Sequence, residues 1–354
     1  MTRLKQLAIS VAIASLLAGC DSGGSGGSDT SSSKTPATMP TSCQREQPTD
    51  ATVLKIAVIP KGTTHEFWKS IHAGAVKAQG ELKSVQVIWK GPVKEDDRVE
   101  QINVVGNFIN SGVHGIALAP LDNTALAKPV REASSAGISV VIMDSGIEAD
   151  ACKDYASFVA TDNYAGGRKA GRRLGELLGG KGKVLMMRYQ VGSASTDQRE
   201  QGFLDTISEN YPDIQIVSSD QYGGATTESS LAKAENLLNK YQQLDGIYTP
   251  NESTTFGMLL ALQQAGRAGQ VKFVGFDSSE KLIQAMKDGH IHGLVLQDPL
   301  NMGYLAVKTL AAYLRGEEVK TRIDTGSQVA TPDNMGEPRI QELLSPPFAK
   351  YLGE

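Results

Sequence analysis

Short apolar runs and helical patterns alternate along this chain, and the whole alternation occurs twice. That repetition constrains the fold more than any other feature. Runs of strand length stand at VLKIAVIP (53–60), VQVIWKG (85–91), GIALAPL (115–121), ISVVIMDS (138–145) and ASFVATDN (156–163). Between them lie helical patterns at 66–82, at 95–111 (Val99, Ile102, Val105, Phe108 and Ile109) and at 123–136. Strands separated by helices of this length imply parallel sheets with right-handed crossovers. The pattern then starts again. Helix 164–178 leads to KVLMMRY (183–189), helix 197–210, strand IQIVSSD (214–220), helix 226–240 and strand GIYTP (246–250). Helix 253–265, strand VKFVGFDSS (271–279), helix 280–288, strand HGLVLQDP (292–299) and helix 301–315 follow, before a less regular tail. The expected class is α/β, with two Rossmann-like parallel-sheet domains.

The chain before this body has a different character. Arg3 and Lys5 precede LAISVAIASLL (7–17), an apolar core of signal-peptide length and too short to span a bilayer comfortably. It runs into LAGC (17–20), which resembles a lipobox, the bacterial lipoprotein signal cleaved before a cysteine that is then lipidated. A signal peptide over 1–19 and lipidation at Cys20 are the expectations, against an ordinary signal peptide with a chance cysteine. The following DSGGSGGSDTSSSKTPATMPTS (21–42) is rich in Gly, Ser and Thr, so 20–52 is expected to be a flexible tether. Loss of Arg3 and Lys5 takes the net charge from −4 to −6, and no basic surface suited to nucleic acid is evident. Cys43 and Cys152 remain. In an oxidising compartment they can pair and staple the tether to the first domain, or stand as two unpaired small residues. No His/Cys cluster has metal-site spacing.

In parallel α/β sheets, ligands sit beyond the carboxyl ends of the strands. Asp144 ends ISVVIMD, Asn251 follows GIYTP, Asp277 ends VKFVGFD, Gln297 and Asp298 end GLVLQ, and Arg199 lies in STDQREQGF (195–203). Each alone has a plain alternative as the cap of the next helix. Their recurrence in both halves points to a shared cleft. Carboxylates, amides and a guanidinium make the fixed hydrogen bonds that suit vicinal hydroxyls. Aromatic faces can cover the apolar side of a sugar ring. Here GTTHEFWKS (62–70) supplies Phe67 and Trp68 at a strand-to-helix turn, with Thr63 and Glu66 at capping-box spacing. The alternative for this pair is packing, Phe67 in the core and Trp68 over an inter-domain contact.

Catalysis fits poorly. A glycosidase needs a paired acid and nucleophile or base across a bond, and His65 and His72 have no nucleophile in a motif beside them. No GxGxxG, GxxxxGK[ST] or GxSxG is present, and GGKGK (179–183) reads as a helix-ending turn. No enzyme and no cofactor are expected.

Several segments together resemble the ribose/galactose-type sugar-binding family of type I periplasmic binding proteins, which deliver ligands to ABC importers. They are IAVIPKGTTHEFWKSIHAGA (56–75), GIALAPLDNTAL (115–126), GISVVIMDS (137–145), VATDNYAGG (159–167), REQGF (199–203), the P–N–E turn at 250–252 and FVGFDSS (273–279). The resemblance covers roughly 53–330. It implies a three-strand hinge, with crossings near 160–162, 297–299 and 325–330. The lobes then comprise 53–161 plus 298–326 and 162–297 plus 327–354. It implies ring-stacking by Phe67 and Trp68, cleft carboxylates at Asp144 and Asp277, a cleft arginine at Arg199 and amides at Asn251 and Gln297. Tyr222 matches a further aromatic at the rim of the second domain. The chain departs from the family where His65 replaces an asparagine, Ser145 a basic residue and Ala119 a polar one, which loosens any pentose assignment. The function implied is a monomeric, lipid-anchored receptor on the outer face of the cytoplasmic membrane, closing on a small sugar or polyol and presented to ABC permease subunits. The alternative output is a sensory protein engaging a chemoreceptor or histidine kinase. The family's repressors need a helix-turn-helix where this chain has a signal and tether. Asp21 after the cysteine resembles an inner-membrane retention signal, which applies only to a host with two membranes.

Overall fold

The computed structural model describes residues 40–353, so the signal-peptide region and Cys20 lie outside the described residues. The first half runs β1 (Ser42–Cys43), β2 (Leu54–Ile59), α1 (Glu66–Leu82), β3 (Val85–Trp89), α2 (Arg98–Ser111), β4 (Gly115–Leu118), α3 (Ala127–Ser135), β5 (Ser139–Met143) and β6 (Ser157–Ala160). The second runs α4 (Asn163–Leu177), β7 (Lys181–Arg188), α5 (Ala194–Asn210), β8 (Asp213–Tyr222), α6 (Thr227–Lys240), β9 (Gly246–Tyr248), α7 (Glu252–Gln264), β10 (Lys272–Phe276), α8 (Glu280–Lys287) and β11 (Gly293–Leu296). Then come α9 (Pro299–Leu314), β12 (Val319–Lys320), β13 (Arg322–Asp324), β14 (Gln328–Ala330), α10 (Pro338–Leu344) and α11 (Phe348–Leu352).

Two six-stranded sheets result. The first has the order β13-β6-β5-β4-β2-β3 and is parallel throughout. The second has the order β14-β11-β10-β9-β7-β8 and is parallel except for the antiparallel edge pair β14–β11. Strands buried on both faces read as continuous apolar runs, which is why GIAL and GLVL show no alternation. Each sheet carries a core on either face, for example Leu54, Ile71 and Leu310 on one side of the first and Ile116, Val130 and Ile142 on the other. The chain passes between sheets after β6, after β11 and between β13 and β14.

Each lobe also contains one helix pair in backbone contact, made possible by reciprocal glycines. In the first lobe a Cβ on Gly74 of α1 would lie 1.9 Å from the Leu300 carbonyl oxygen, and one on Gly303 of α9 would lie 2.1 Å from that of Ile71. In the second, Gly167 of α4 and Gly202 of α5 would meet the carbonyl oxygens of Arg199 and Tyr164 at 2.0 and 2.2 Å. Only glycine permits such approaches. The AGG and QGF segments therefore seat α5, and with it Arg199.

Three expectations need correction. The tether does not extend to residue 52, because residues 40–52 are held on the first lobe. β1 pairs antiparallel with β12. The Thr49 N–H donates to the Leu314 carbonyl at 2.7 Å, and Arg45 Nη1 donates to Ser139 Oγ at 2.6 Å. A Cys43–Cys152 disulfide closes this attachment, with Cα atoms 5.3 Å apart. The tail is divided too. Ile340, Leu343 and Leu344 of α10 enter the second lobe's core, but α11 packs on α1 of the first. Finally, α2 starts at Arg98 and not at 95. The Asp97 side chain accepts the Glu100 N–H at 2.9 Å and caps the helix there, which leaves Glu95 on the preceding loop.

Candidate functional site

The C-terminal ends of both sheets face one cleft. Asp144 directly follows β5, and Asp277 directly follows β10. Both adopt left-handed backbone, at φ 63° and 68°, and they are two of only four non-glycine residues that do so among the described residues. Each N–H is tied to the neighbouring strand, Asp144 to the Val159 carbonyl at 3.1 Å and Asp277 to the Val295 carbonyl at 2.9 Å. Such a conformation costs energy for a residue with a Cβ and persists where the surroundings over-determine it. The matched kinks turn one carboxylate from each lobe into the same space. Neither aspartate caps the helix that follows it. No helix begins directly after Asp144, and the cap of α8 is Ser279.

In the second lobe the polar groups are bonded to one another. Asp277 Oδ1 accepts from Gln297 Nε2 at 2.7 Å, and Oδ2 accepts the Glu252 N–H at 3.0 Å. Arg199 Nη1 lies 3.9 Å from Asp277 Oδ2. The same guanidinium donates to Asn163 Oδ1 at 2.8 Å and to the Pro250 carbonyl at 2.9 Å, and it lies 4.0 Å from the centre of the Phe276 ring. Asn251 Oδ1 accepts from Thr254 Oγ1 at 2.6 Å. Burial raises the Asp277 pKa, and the Arg199 charge offsets only part of this. Gln297 Oε1 is buried with no hydrogen-bond partner in the protein, although it belongs to a side chain that lines the cleft. It is an acceptor suited to a ligand hydroxyl.

The first lobe brings Lys61, His65, Phe67, Trp68, Glu95 and Asp144. Lys61 Nζ pairs with Asp144 Oδ2 at 2.8 Å, so this lysine supplies the positive charge that Ser145 lacks. The Phe67 and Trp68 rings meet edge to face, with centroids 4.9 Å apart. Both belong to the first lobe's core and both line the cleft, so packing and cleft-lining positions coincide. Burial alone would lower the His65 pKa. The carboxylates of Glu95, Glu252, Asp277 and Glu228 outweigh it and raise that value.

The lobes are closed on each other. Lys61 Nζ lies 3.1 Å from Ser195 Oγ, the Ser195 N–H donates to Ser145 Oγ at 3.1 Å, and the Asn123 N–H donates to the Gly192 carbonyl at 2.9 Å. The start of α1 is capped from the opposite lobe. His65 is the cap residue but makes no side-chain cap bond, and Glu252 instead accepts the N–H groups of Glu66 and Phe67 at 3.3 and 3.2 Å. The capping box read from Thr63 and Glu66 is therefore not formed. Burial pushes the Glu252 carboxyl up to about 7, against the opposing effect of His65.

Of the residues singled out from the sequence, His65, Phe67, Trp68, Asp144, Arg199, Asn251, Asp277 and Gln297 line this cleft. Tyr222 does not. It ends β8, the edge strand of its sheet, and lies under the Arg188 guanidinium at 4.8 Å. The aromatic that reaches the cleft from the second lobe is Tyr189, at the end of the more central β7. Lys61, Glu95, Ser195, Thr196 and Glu252 were also missed. Lys61 and Tyr189 follow apolar strands and fall under the same strand-end rule. Glu95 gave no signal, because it stands in an apparently helical stretch.

The free space enclosed between the closed lobes is small, ≈ 30 Å³. Among the described residues, no group of three or more His, Cys, Asp or Glu side chains is placed to hold a metal ion, and no helix is long and apolar enough to cross a membrane.

Comparison with known proteins places these features. The profile of the periplasmic binding protein domain matches residues 56–318. The D-ribose/D-allose-binding protein of Pseudomonas aeruginosa is 31% identical over 74% of this chain and 83% of its own length. The xylitol-binding protein of Mycolicibacterium smegmatis is 28% identical over 71% of this chain and 70% of its own. Among solved structures, an ABC transporter solute binding protein from Agrobacterium vitis with bound D-fucose is 37% identical, with a TM-score of 0.79 over 82% of this chain and 100% of that one.

Proposed function

Since the chain belongs to the periplasmic binding protein domain family, whose members bind solutes and are not enzymes, we propose that it captures a monosaccharide or small polyol between its lobes for an ABC importer. The observation that carries this reading is the pair of strand-end carboxylates, Asp144 and Asp277, turned into one cleft from opposite lobes by matching left-handed backbone. Each is an acceptor-only group suited to adjacent ligand hydroxyls, and the unpartnered Gln297 Oε1 adds a third acceptor. Phe67 and Trp68 supply apolar area for the C–H face of a ring. D-fucose, the ribose/allose pair and xylitol, named for the relatives, all carry adjacent hydroxyls on a small carbon frame.

In this reading, Asp144, Lys61, His65, Phe67 and Trp68 contact the ligand from the first lobe, and Arg199, Asn251, Asp277 and Gln297 do so from the second. Contacts on both lips favour the closed form, so binding is a population shift about the three crossings. The first lobe is taken as 40–161, 298–326 and 348–352, and the second as 162–297 and 327–344. The protein acts as a monomer without a cofactor. It is exported and held by lipid on Cys20 at the outer face of the cytoplasmic membrane, where permease subunits receive the closed form. A thermal-shift screen of pentoses, hexoses and polyols tests the ligand class. Ligand at about 100 times its Kd should add about 2.7 kcal/mol to stability. Silence across all three groups would remove the sugar assignment.

A further inference from the structure

Glu95 stands on the loop between β3 and α2 in the first lobe and is buried. Its Oε1 accepts the Trp68 indole N–H at 2.6 Å and lies 3.3 Å from His65 Nδ1. Its Oε2 accepts the hydroxyl of Tyr189, which comes from the second lobe. Its backbone carbonyl accepts Gln190 Nε2, also from the second lobe, at 3.0 Å. One side chain thus holds an aromatic ring of the cleft and is itself held by the opposite lobe. We infer that Glu95 is a positioning residue that fixes the Trp68 ring against the ligand and, through Tyr189, ties that ring orientation to lobe closure. This rests on the sugar-binding reading of the cleft.

The indole has a single donor and no acceptor, so one anchored carboxylate oxygen determines how the ring is turned. Hydrogen bonds to a charged acceptor are about twice as strong as neutral ones. The surroundings leave Glu95 little choice of position. A Cβ on Gly62 would lie 2.7 Å from Glu95 Cγ and 3.3 Å from its N, so the carboxylate stem is seated directly on a bare backbone. Tyr189 is anchored as well. Its N–H donates to Glu200 Oε1 at 3.0 Å, and Glu200 Oε2 is held by Arg188 Nε at 2.5 Å. Burial, reinforced by Glu95, raises the Tyr189 pKa well above its ordinary value, so the hydroxyl keeps its proton and donates. The two ends of this bond belong to different lobes, so opening the cleft breaks it. It favours the closed state alone, and its loss should appear in the rate of ligand release.

Tyr189→Phe deletes the hydroxyl and keeps the ring. Stopped-flow fluorescence with D-fucose, D-ribose and xylitol as probes, in a Trp89→Phe background that leaves Trp68 as the sole tryptophan, reads the effect. The expected result is dissociation about tenfold faster with little change in association rate. Glu95→Ala should shift Trp68 emission without ligand and weaken binding further, and Glu95→Gln, which still accepts from the indole, should recover much of both. Equal dissociation rates in Tyr189→Phe and its parent would overturn the inference. Silence of the parent protein toward all three probes counts against the sugar reading alone. The latch is then decided on ligand-free protein by the distance between spin labels on α2 and α5. Tyr189→Phe lengthens it if the bond holds the lobes together, and an unchanged distance overturns the inference.

Discussion

The two halves of the cleft are built differently. The second lobe's half is assembled within that lobe: Arg199 is fixed by Asn163 and Pro250, Asp277 by Gln297 and the Glu252 N–H, and Asn251 by Thr254. The first lobe's half is completed from across the cleft: Lys61 reaches Ser195, Glu95 reaches Tyr189, and the start of α1 is capped by Glu252. One half is therefore preorganised whether the protein is open or shut, and the other reaches its full set of bonds only on closure. Preorganisation lowers the cost of binding, whereas bonds made only in the closed form report that closure has happened. The difference teaches that changes in the second lobe should alter folding and affinity together, and changes in the first should separate them.

The largest expected effect tests the preassembled half. Arg199→Ala leaves Asp277 without its buried counter-charge and removes the donor to Asn163 Oδ1 and the Pro250 carbonyl. Breaking a buried ion pair in this way costs about 3–5 kcal/mol. Denaturant unfolding should show that loss in the ligand-free protein, and calorimetry should show no binding. Next comes the Cys43–Cys152 bridge, which closes a loop over a sequence separation of 109 and lies on the first lobe. Its removal by Cys43→Ser with Cys152→Ser should cost about 2–4 kcal/mol of stability with an unchanged Kd. A changed Kd would show that the first lobe's half is not independent of its stapled edge.

The smallest effect is on pH dependence. Glu252 rises from its ordinary 4.5 to about 7 in the closed form, chiefly through burial. His65 is raised above its ordinary 6.5, because its surrounding carboxylates outweigh burial. Both groups therefore bind more protons when the cleft is shut. Lower pH then favours closure. The Glu252 contribution is lost as pH rises from 4.5 towards 7, and the His65 contribution as it rises from 6.5 through the raised value. Affinity measured at pH 8 should be several-fold weaker than at pH 6, and Glu252→Gln should flatten the lower part of that profile.

Much of this arrangement is legible in the sequence, and the exceptions share a cause. Continuous apolar runs mark buried parallel strands, and polar residues at their ends mark the cleft, which is how Asp144, Asp277 and Gln297 stand out. Tyr222 and Tyr189 both close second-lobe strands, and only the sheet order, with β8 at the edge, decides between them. Glu252 caps a helix that begins 186 residues earlier, and no local pattern announces so distant a partner. Glu95 is hidden because the apolar spacing of α2 extrapolates backwards past its Asp97 cap. The attachment of residues 40–52 depends on a two-residue strand and a disulfide, neither of which has a hydrophobic period to read.

The central claim is that one carboxylate from each lobe grips the same ligand. Calorimetric titration of Asp144→Asn and Asp277→Asn beside the parent protein, with the melting temperature of each in the absence of ligand, tests it most directly. Asparagine tolerates the left-handed backbone at both positions and removes the charge. Charge-assisted hydrogen bonds contribute about 1.5–3 kcal/mol, so each variant should bind roughly 10- to 100-fold more weakly. Melting without ligand should stay close to that of the parent for Asp144→Asn and fall for Asp277→Asn, which leaves the buried Arg199 guanidinium without its carboxylate. A lowered melting temperature with near-parental affinity in both variants would mean that the aspartates hold the strand ends and not the ligand, and would contradict the account.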